Sequence, residues 1–399
     1  MYNGLCGGGM GNIFMRSVEL FSGCGGLALG LARAGFHHDL MVEWNDNAAE
    51  TVHYNRELGL EHIRAWTLEK ADVRDVTWLR FAGTDLVAGS PPCQPFSIGG
   101  KHRGHGDIRD MWPEAIRAVR EIRPRGFLFE NVKGLARPTF SRYLRWIVAH
   151  LRHPEMTRAN GEDHETHTQR LETTGLPTAY RVIVAHVNAA DYGAAQKRHR
   201  VIIAGIRADI TDRMEPPQPT HTRERLLWNQ WVTDDYWQRH ALRRPSDDMI
   251  FSKDQTIVAT LRARRAPPEG EAWVTVRDAI AGLGDPNEEN NHVFQAGARV
   301  YPGHTGSPLD QPAKALKAGD HGVPGGENMM VQDNGAARYF TVREAARLQG
   351  LPDTYQFPGS WTESMRQLGN AVPVPLAEAM GQWMIDMLET AATRHSAAA

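Results

Sequence analysis

Cys93 stands in the stretch GSPPCQPFS, residues 89–97, among Pro91, Pro92 and Pro95. A buried cysteine is usually an inert small hydrophobe, and that reading suits Cys6 and Cys24. It suits Cys93 poorly. Pro91 and Pro92 fix two φ angles and offer no N–H to a ladder, so the apolar run TDLVAGS (84–90) must stop there. Loops past strand ends are where ligands bind in parallel sheets. A stiff loop would hold the sulfur as a nucleophile with its orientation already set. A thiol of ordinary pKa, about 8.5, is only a few per cent thiolate at neutral pH. It needs a partner charge, a helix N-terminus or help from the substrate.

Other polar groups close strand-like runs. Glu130 ends the apolar part of GFLFENVKGL. In low-dielectric surroundings such a carboxyl keeps its proton and acts as an acid or hydrogen-bond donor; the alternative is a strand-end carboxylate facing water. YGAAQKRHRVIIAG adds Gln196, Arg198 and Arg200. Alternate strand positions point the same way, so the two arginines are expected to share a face. They would grip a carboxylate, a phosphate or a base edge, or form a surface salt-bridge ladder. FSGCGGLALG (21–30) places glycines between a strand and a helix, where backbone can approach a ligand. Its spacing departs from the dinucleotide fingerprint GxGxxG. Glu43 ends the next strand, Trp44 follows it, and Asp72 lies at a later strand end. An acid there suits ribose hydroxyls and an aromatic neighbour suits adenine. Together they suggest an adenosine-containing ligand; capping and packing is the competing reading.

The elements that must position these residues alternate. Strands are expected at SVELF (17–21), around 40–44, and at 84–90, 126–132, 180–189 and 199–206, with helices at LALGLARAGF, NAAETVHYN, 111–122 and 139–151. This reads as a mostly parallel sheet covered on both faces. Residues 207–336, rich in Pro, Arg, Trp and Gly, read as a separate irregular domain. FTVREAARLQGL and LAEAMGQWMIDMLETA then return as amphipathic helices. HETHTQ (164–169) reads as a polar, solvated loop rather than a metal site.

Composition limits the partners. Lys and Arg total 45 against 47 Asp and Glu, so any nucleic-acid footprint must be local. Three widely spaced cysteines build no disulfide framework and no CxxC zinc pair, which fits a reducing cytoplasm. No apolar run is long enough to span a bilayer, and the N-terminus lacks a signal-peptide pattern. Residues 1–14 read as a frayed extension and 393–399 as a tail.

Taken in order, ELFSGCGG, Glu43–Trp44, Asp72, GSPPCQPFS, ENV, QKRHR, TVREAARLQGLPD and QLGNAVPVP resemble the DNA (cytosine-5) methyltransferase family, bacterial restriction–modification type. The resemblance spans nearly the whole chain. It implies a Rossmann-like α/β catalytic domain (15–206 plus 337–392) with helices on both faces of the sheet, and a smaller target-recognition domain (207–336). It implies S-adenosyl-L-methionine as cofactor and no metal. Phe21, Gly23, Gly25, Glu43, Trp44, Asp72, Val73, Pro92, Asn370 and Val372 would bind that cofactor, Glu43 at the ribose and Trp44 and Asp72 at the adenine. Cys93 resembles the nucleophile and Glu130 the acid at the base. Arg198 and Arg200 resemble the residues that orient it, Arg198 at O2. Gln94, Ser97 and Arg109 resemble DNA contacts on a mobile loop that also carries Lys101 and Arg103. Arg262, Arg264 and Arg265 are weaker candidates for DNA contact; Arg343, Glu344 and Arg347 suit an ion-pair network at the domain junction. The implied partners are double-stranded DNA and a separate cognate endonuclease, for a cytoplasmic, nucleoid-associated monomer. A DNA-binding regulator or an RNA cytosine-5 methyltransferase on the same scaffold are the alternatives.

Overall fold

A computed structural model describes residues 14–92, 110–211, 213–318 and 327–398, the last nine by backbone only. Cys93, Gln94, Ser97, Lys101, Arg103 and Arg109 lie outside these residues, as do residues 1–13 of the expected extension.

The first half alternates as its apolar runs require. In chain order come β1 (Met15–Leu20), α1 (Gly26–Ala34), β2 (Phe36–Glu43), α2 (Asp46–Glu57), β3 (Leu68–Lys70), β4 (Leu86–Gly89), α3 (Trp112–Ile122) and β5 (Gly126–Val132). Next are α4 (Ser141–Arg152), α5 (His164–Thr173), β6 (Tyr180–Asn188), β7 (Gln196–Lys197) and β8 (His199–Arg207). The main sheet has seven strands in the order β3-β2-β1-β4-β5-β8-β6. All its neighbours pair in parallel except β8, which runs antiparallel to both β5 and β6.

Both faces are covered, which explains the uninterrupted apolar runs. One face packs Val18, Leu20, Val87, Phe127 and Phe129 beneath Trp112, Ile116 and Val119 of α3 and Ile147 of α4. The other packs Leu86, Ala88 and Leu128 beneath Leu27 and Leu31 of α1. The strand order turns back between β1 and β4, and ligands bind at such a point, outside the carboxyl ends of the strands. Phe21 and Ser90 begin the two loops that leave it.

Residues 207–336 carry β9 (His221–Thr222), α6 (Arg223–Trp231), α7 (Asp235–Arg239), α8 (Ser252–Arg262), β10 (Glu271–Ala272), α9 (Val276–Ile280), β11 (Ser307–Pro308), β12 (Ala313–Lys314) and β13 (Met329–Val331). Helices α6 to α8 close over their own cluster, with Leu227, Trp231, Tyr236, Trp237 and Val258 at its centre. Val276, Ala313, Leu316 and Met330 instead share a core with Met41, Phe340 and Leu368. The chain returns through β14 (Ala337–Tyr339), α10 (Val342–Leu348), α11 (Trp361–Asn370) and α12 (Val374–Ala398). Gly30 lets α12 lie close on α1: a Cβ there would stand 2.6 Å from the Glu378 nitrogen. Helix α12 runs on through the segment expected to be a tail, to Ala398.

The expected loop at HETHTQ is helix α5. Asp163 caps it by accepting from the Thr166 N–H, and His167 and Leu171, one turn apart, are buried. His167 is not solvated. Trp146 Nε1–H donates to its Nδ1 at 3.1 Å, which leaves Nε2–H to donate to the Met156 carbonyl at 2.7 Å.

Candidate active site

The turn after β1 is built for close approach. Phe21 takes a left-handed φ of 57°, and Gly23 and Gly25 follow at 55° and 79°. A side chain at Gly25 would run into the Trp66 ring. Glu43, at the end of the neighbouring strand, pins this turn. Its carboxylate accepts from the Gly23 N–H and from the Asn45 N–H, both at 2.8 Å. Each oxygen keeps further acceptor capacity.

Two adjoining cavities open here. One, about 400 Å³, is lined by Phe21, Val42, Glu43, Trp44, Asp72, Val73, Pro92 and Met111 among others. It is mostly apolar, with carboxylates at its edge, and Trp44 flanks it largely exposed. The Asp72 carboxylate is gripped by Arg74 through Nε at 3.0 Å and NH2 at 2.5 Å, and that guanidinium holds it below the ordinary carboxylate range. The second cavity, about 360 Å³, shares Phe21, Glu43, Trp44 and Pro92. It continues to Gly23, Pro91, Glu130, Asn131, Asn370 and Val372. The returning segment closes it: Gly26 sits so near Val372 that a Cβ would collide with the Val372 carbonyl. Nine of the ten expected cofactor residues, plus Glu130, therefore meet on one pair of cavities; Gly25 shapes the turn behind them, and Asp72–Val73 face only the first.

Glu130 is not in purely apolar surroundings. Arg200 Nε lies 2.5 Å from its Oε1; Glu130 is buried and Arg200 largely so. Next to it Asn131 donates Nδ2–H to the Pro91 carbonyl at 3.0 Å and accepts the Val132 N–H through Oδ1. The residue after Glu130 thus anchors the proline pair that leads into residue 93.

Arg198 departs from the expected shared face. Its guanidinium is buried and donates to the Leu316 carbonyl at 3.1 Å and the Gly369 carbonyl at 2.6 Å. Its backbone N–H donates to Asn188 Oδ1. The strand pairing of β8 begins only at His199, so alternation does not carry through position 198. Arg198 ties framework segments together, while Arg200 alone meets Glu130. Arg262 is likewise spent internally, on Asp247 and the Trp231 carbonyl. Arg343 donates to the carbonyls of Asn290, Pro352 and Tyr355, Glu344 pairs with Arg338, and Arg347 pairs with Asp353. These three join α10 to neighbouring segments rather than to one another.

A family model described as C-5 cytosine-specific DNA methylase matches residues 15–386. The chain belongs to the C-5 cytosine-specific DNA methylase family. Type II methyltransferase M.NgoMIV of Neisseria gonorrhoeae is 29% identical over 94% of this chain and 98% of its own length. Type II methyltransferase M.PspPI of Psychrobacter sp. (strain TA137) is 32% identical over 94% of this chain and 80% of its own. Among solved structures, a putative DNA modification methyltransferase encoded within an Escherichia coli prophage aligns with a TM-score of 0.55 at 21% identity, covering 94% of this chain and 99% of that one. The S. pombe Dnmt2 methyltransferase aligns at 0.54 and 18% identity, over 94% and 98%. At those identities the likeness concerns the fold, a Rossmann-like α/β sheet.

As a C-5 cytosine-specific DNA methylase, the chain is a DNA (cytosine-5)-methyltransferase and uses S-adenosyl-L-methionine. The cavities fit that group. One is apolar with the Glu43 carboxylate at its edge, and the other holds an orphaned buried polar atom, Oε2 of Glu19. Burial pushes the Glu19 carboxyl well above its usual pKa, only partly opposed by a hydrogen bond from the Ala28 backbone. Sequence reasoning passed over Glu19 and Asn131, although both lie inside the quoted stretches ELFSGCGG and ENV. Nothing in their types shows that one faces a cavity and the other holds a proline carbonyl.

Proposed function

We propose that this methyltransferase modifies cytosine within a specific duplex DNA sequence, through a transient bond between Cys93 and the base. We further propose that it protects host DNA beside a separate restriction endonuclease. The observation that carries the chemistry is the buried Glu130, paired with Arg200, on the wall of a cavity that Pro91 and Pro92 also line, directly before Cys93.

Carbon 5 of cytosine is a poor nucleophile. The Cys93 thiolate adds to C6, forming a C–S bond and moving electron density onto C5. Glu130 bonds N3 and stabilises that adduct. Arg200, already at Glu130, steadies the pair and the base edge; the O2 contact expected of Arg198 passes to it, because Arg198 is committed to two carbonyls. Bound S-adenosyl-L-methionine would supply an electrophilic methyl carbon for C5 to take, the sulfonium S–C bond breaking to leave a neutral thioether. Loss of the C5 proton and departure of the thiolate restore the aromatic ring. The target must leave the base stack to reach this cavity, at a cost of a few kcal/mol.

Glu43 holds the ribose end of the cofactor, with Trp44, Asp72 and Val73 at the adenine and Phe21, Gly23, Gly25, Pro92, Asn370 and Val372 enclosing it. Gln94, Ser97 and Arg109 contact DNA, and residues 207–336 form the target-recognition domain. The enzyme acts as a cytoplasmic monomer on nucleoid DNA; among the described residues no helix is long and apolar enough to cross a membrane. Bisulfite sequencing of DNA from cells expressing the protein tests the reading. Protected cytosines within one recurring sequence are expected. Methyl label on transfer RNA but not on duplex DNA, in a side-by-side assay, would overturn it.

A further inference from the structure

Strand β7 meets β12 in parallel, and the register sets Lys197 directly opposite Lys314. Like charges directly opposite one another on paired strands destabilise the pairing. Two more cations, Arg223 of α6 and Lys253 of α8, face Lys197, with Asp254 of α8 as the one carboxylate in that set.

The carboxylates are already assigned. Asp254 pairs with Arg223. Lys314 Nζ lies 3.0 Å from Glu327 Oε1, which is buried, and also donates to Thr305 Oγ1 at 3.1 Å. Among the described residues neither Lys197 nor Lys253 has a carboxylate partner. Lys253 is exposed, over the Phe251 ring at 5.8 Å. Lys197 is half-buried, between Gln196 and Arg198 and three residues before the arginine that meets Glu130. A chain of balanced overall charge thus concentrates cations at one junction, where the catalytic sheet meets the segment 207–336.

We propose that Lys197, supported by Lys253, binds a backbone phosphate of the DNA substrate and seats the duplex between the catalytic sheet and the segment 207–336. The inference rests on the reading that the enzyme acts on DNA. A phosphate there relieves the repulsion that the register builds in, and supplies the counter-charge that Asp254 and Glu327 do not. It carries no sequence information; it fixes where the duplex lies relative to Glu130. Burial and the surrounding cations Lys253, Arg223 and Lys314 bring Lys197 down to about 8. Free enzyme therefore holds this ammonium only in part near that pH. A bound phosphate favours the charged form, so association takes up a proton. Affinity then falls as pH rises through about 8, by up to about tenfold per pH unit for one linked proton.

The test measures binding of the full chain to a labelled duplex of mixed sequence, against salt and against pH. Lys197→Met is expected to lower the slope of log affinity against log salt by about 0.9 and to remove the pH dependence. Lys197→Arg is expected to keep the wild-type salt slope yet lose the pH dependence, because guanidinium stays charged. Melting temperatures of both variants check folding, and the arginine variant keeps the test decisive if the methionine variant unfolds. A wild-type salt slope in Lys197→Met, or a wild-type pH dependence in Lys197→Arg, overturns the assignment while leaving the DNA reading intact. Failure of the wild-type protein to bind duplex overturns both.

Discussion

Arg200 Nε stands 2.5 Å from Glu130 Oε1 across the antiparallel β5–β8 pair. The register sets Arg200 opposite Val132, so Glu130 is its diagonal neighbour on the same face, within reach of a long side chain. Two strands of a rigid sheet thus hold both groups. Glu130→Gln is expected to reduce the single-turnover methylation rate by about 10²- to 10⁴-fold, the usual range for a positioned acid or base. Cofactor affinity should stay unchanged. Arg200→Ala should impair the same step, and the double variant should lose less than the product of the two single losses. Independent, multiplying losses would show that the two do not act as a unit.

Cys93→Ala is expected to abolish methyl transfer, since the attack on C6 has no substitute. A duplex carrying 5-fluorocytosine should trap the wild-type enzyme as a denaturant-stable complex, because fluorine does not leave as a proton does. A fully active alanine variant would refute the covalent route.

The Glu43 carboxylate holds the Gly23 N–H of the turn after β1 and the Asn45 N–H at the start of α2. Removing the carboxylate leaves both donors without that partner, at about 1.5–3 kcal/mol for a hydrogen bond to a charged group. Glu43→Ala should therefore weaken S-adenosyl-L-methionine binding by roughly ten- to a hundredfold. Calorimetric titration checks this, with duplex affinity expected to stay as in the wild type.

Arg198 should behave as a structural residue. Arg198→Met leaves the carbonyls of Leu316 and Gly369 without their donor. An expected loss of about 2–4 kcal/mol in unfolding free energy follows from orphaned buried acceptors, read by denaturant titration. Unchanged stability with a selective loss of the chemical step would instead place Arg198 at the base.

Two buried histidines set an acid limit on stability. Burial brings His38 down to about 4 and His150 down to about 3, from an ordinary value near 6.5. Between those values the unfolded chain binds more protons than the folded one. Stability is thus fully present above about pH 6.5 and lost as pH falls toward 4, by roughly 3 kcal/mol for each histidine. Melting temperature measured across that range should fall steeply. His150→Phe, at a ring whose two nitrogens have no partner, should flatten the fall.

Much of the fold is legible because apolar runs bounded by Gly and Pro report strands buried on both faces, as at TDLVAGS and GFLFENV. Helix α5 was not legible. HETHTQ is polar by composition, and its helix depends on the Asp163 cap and on a histidine whose two nitrogens are satisfied only by Trp146 and Met156. The shared face of Arg198 and Arg200 failed for a related reason. Alternation holds within a paired strand, and pairing stops one residue short of position 198.

The sequence by itself determined which chemistry this protein carries. Residue types in a fixed order, from ELFSGCGG through PPC and ENV to GNAV, are local properties of the chain, and so are the punctuation of its strands and the glycine-rich turn after the first of them. Tertiary structure alone decided which polar groups meet. Glu43 reaches back to Gly23, Asn131 to Pro91, Arg200 to Glu130, and Arg198 to Leu316 and Gly369. Long side chains choose partners by distance and burial once the sheet has closed, and neither quantity is written in any stretch of sequence.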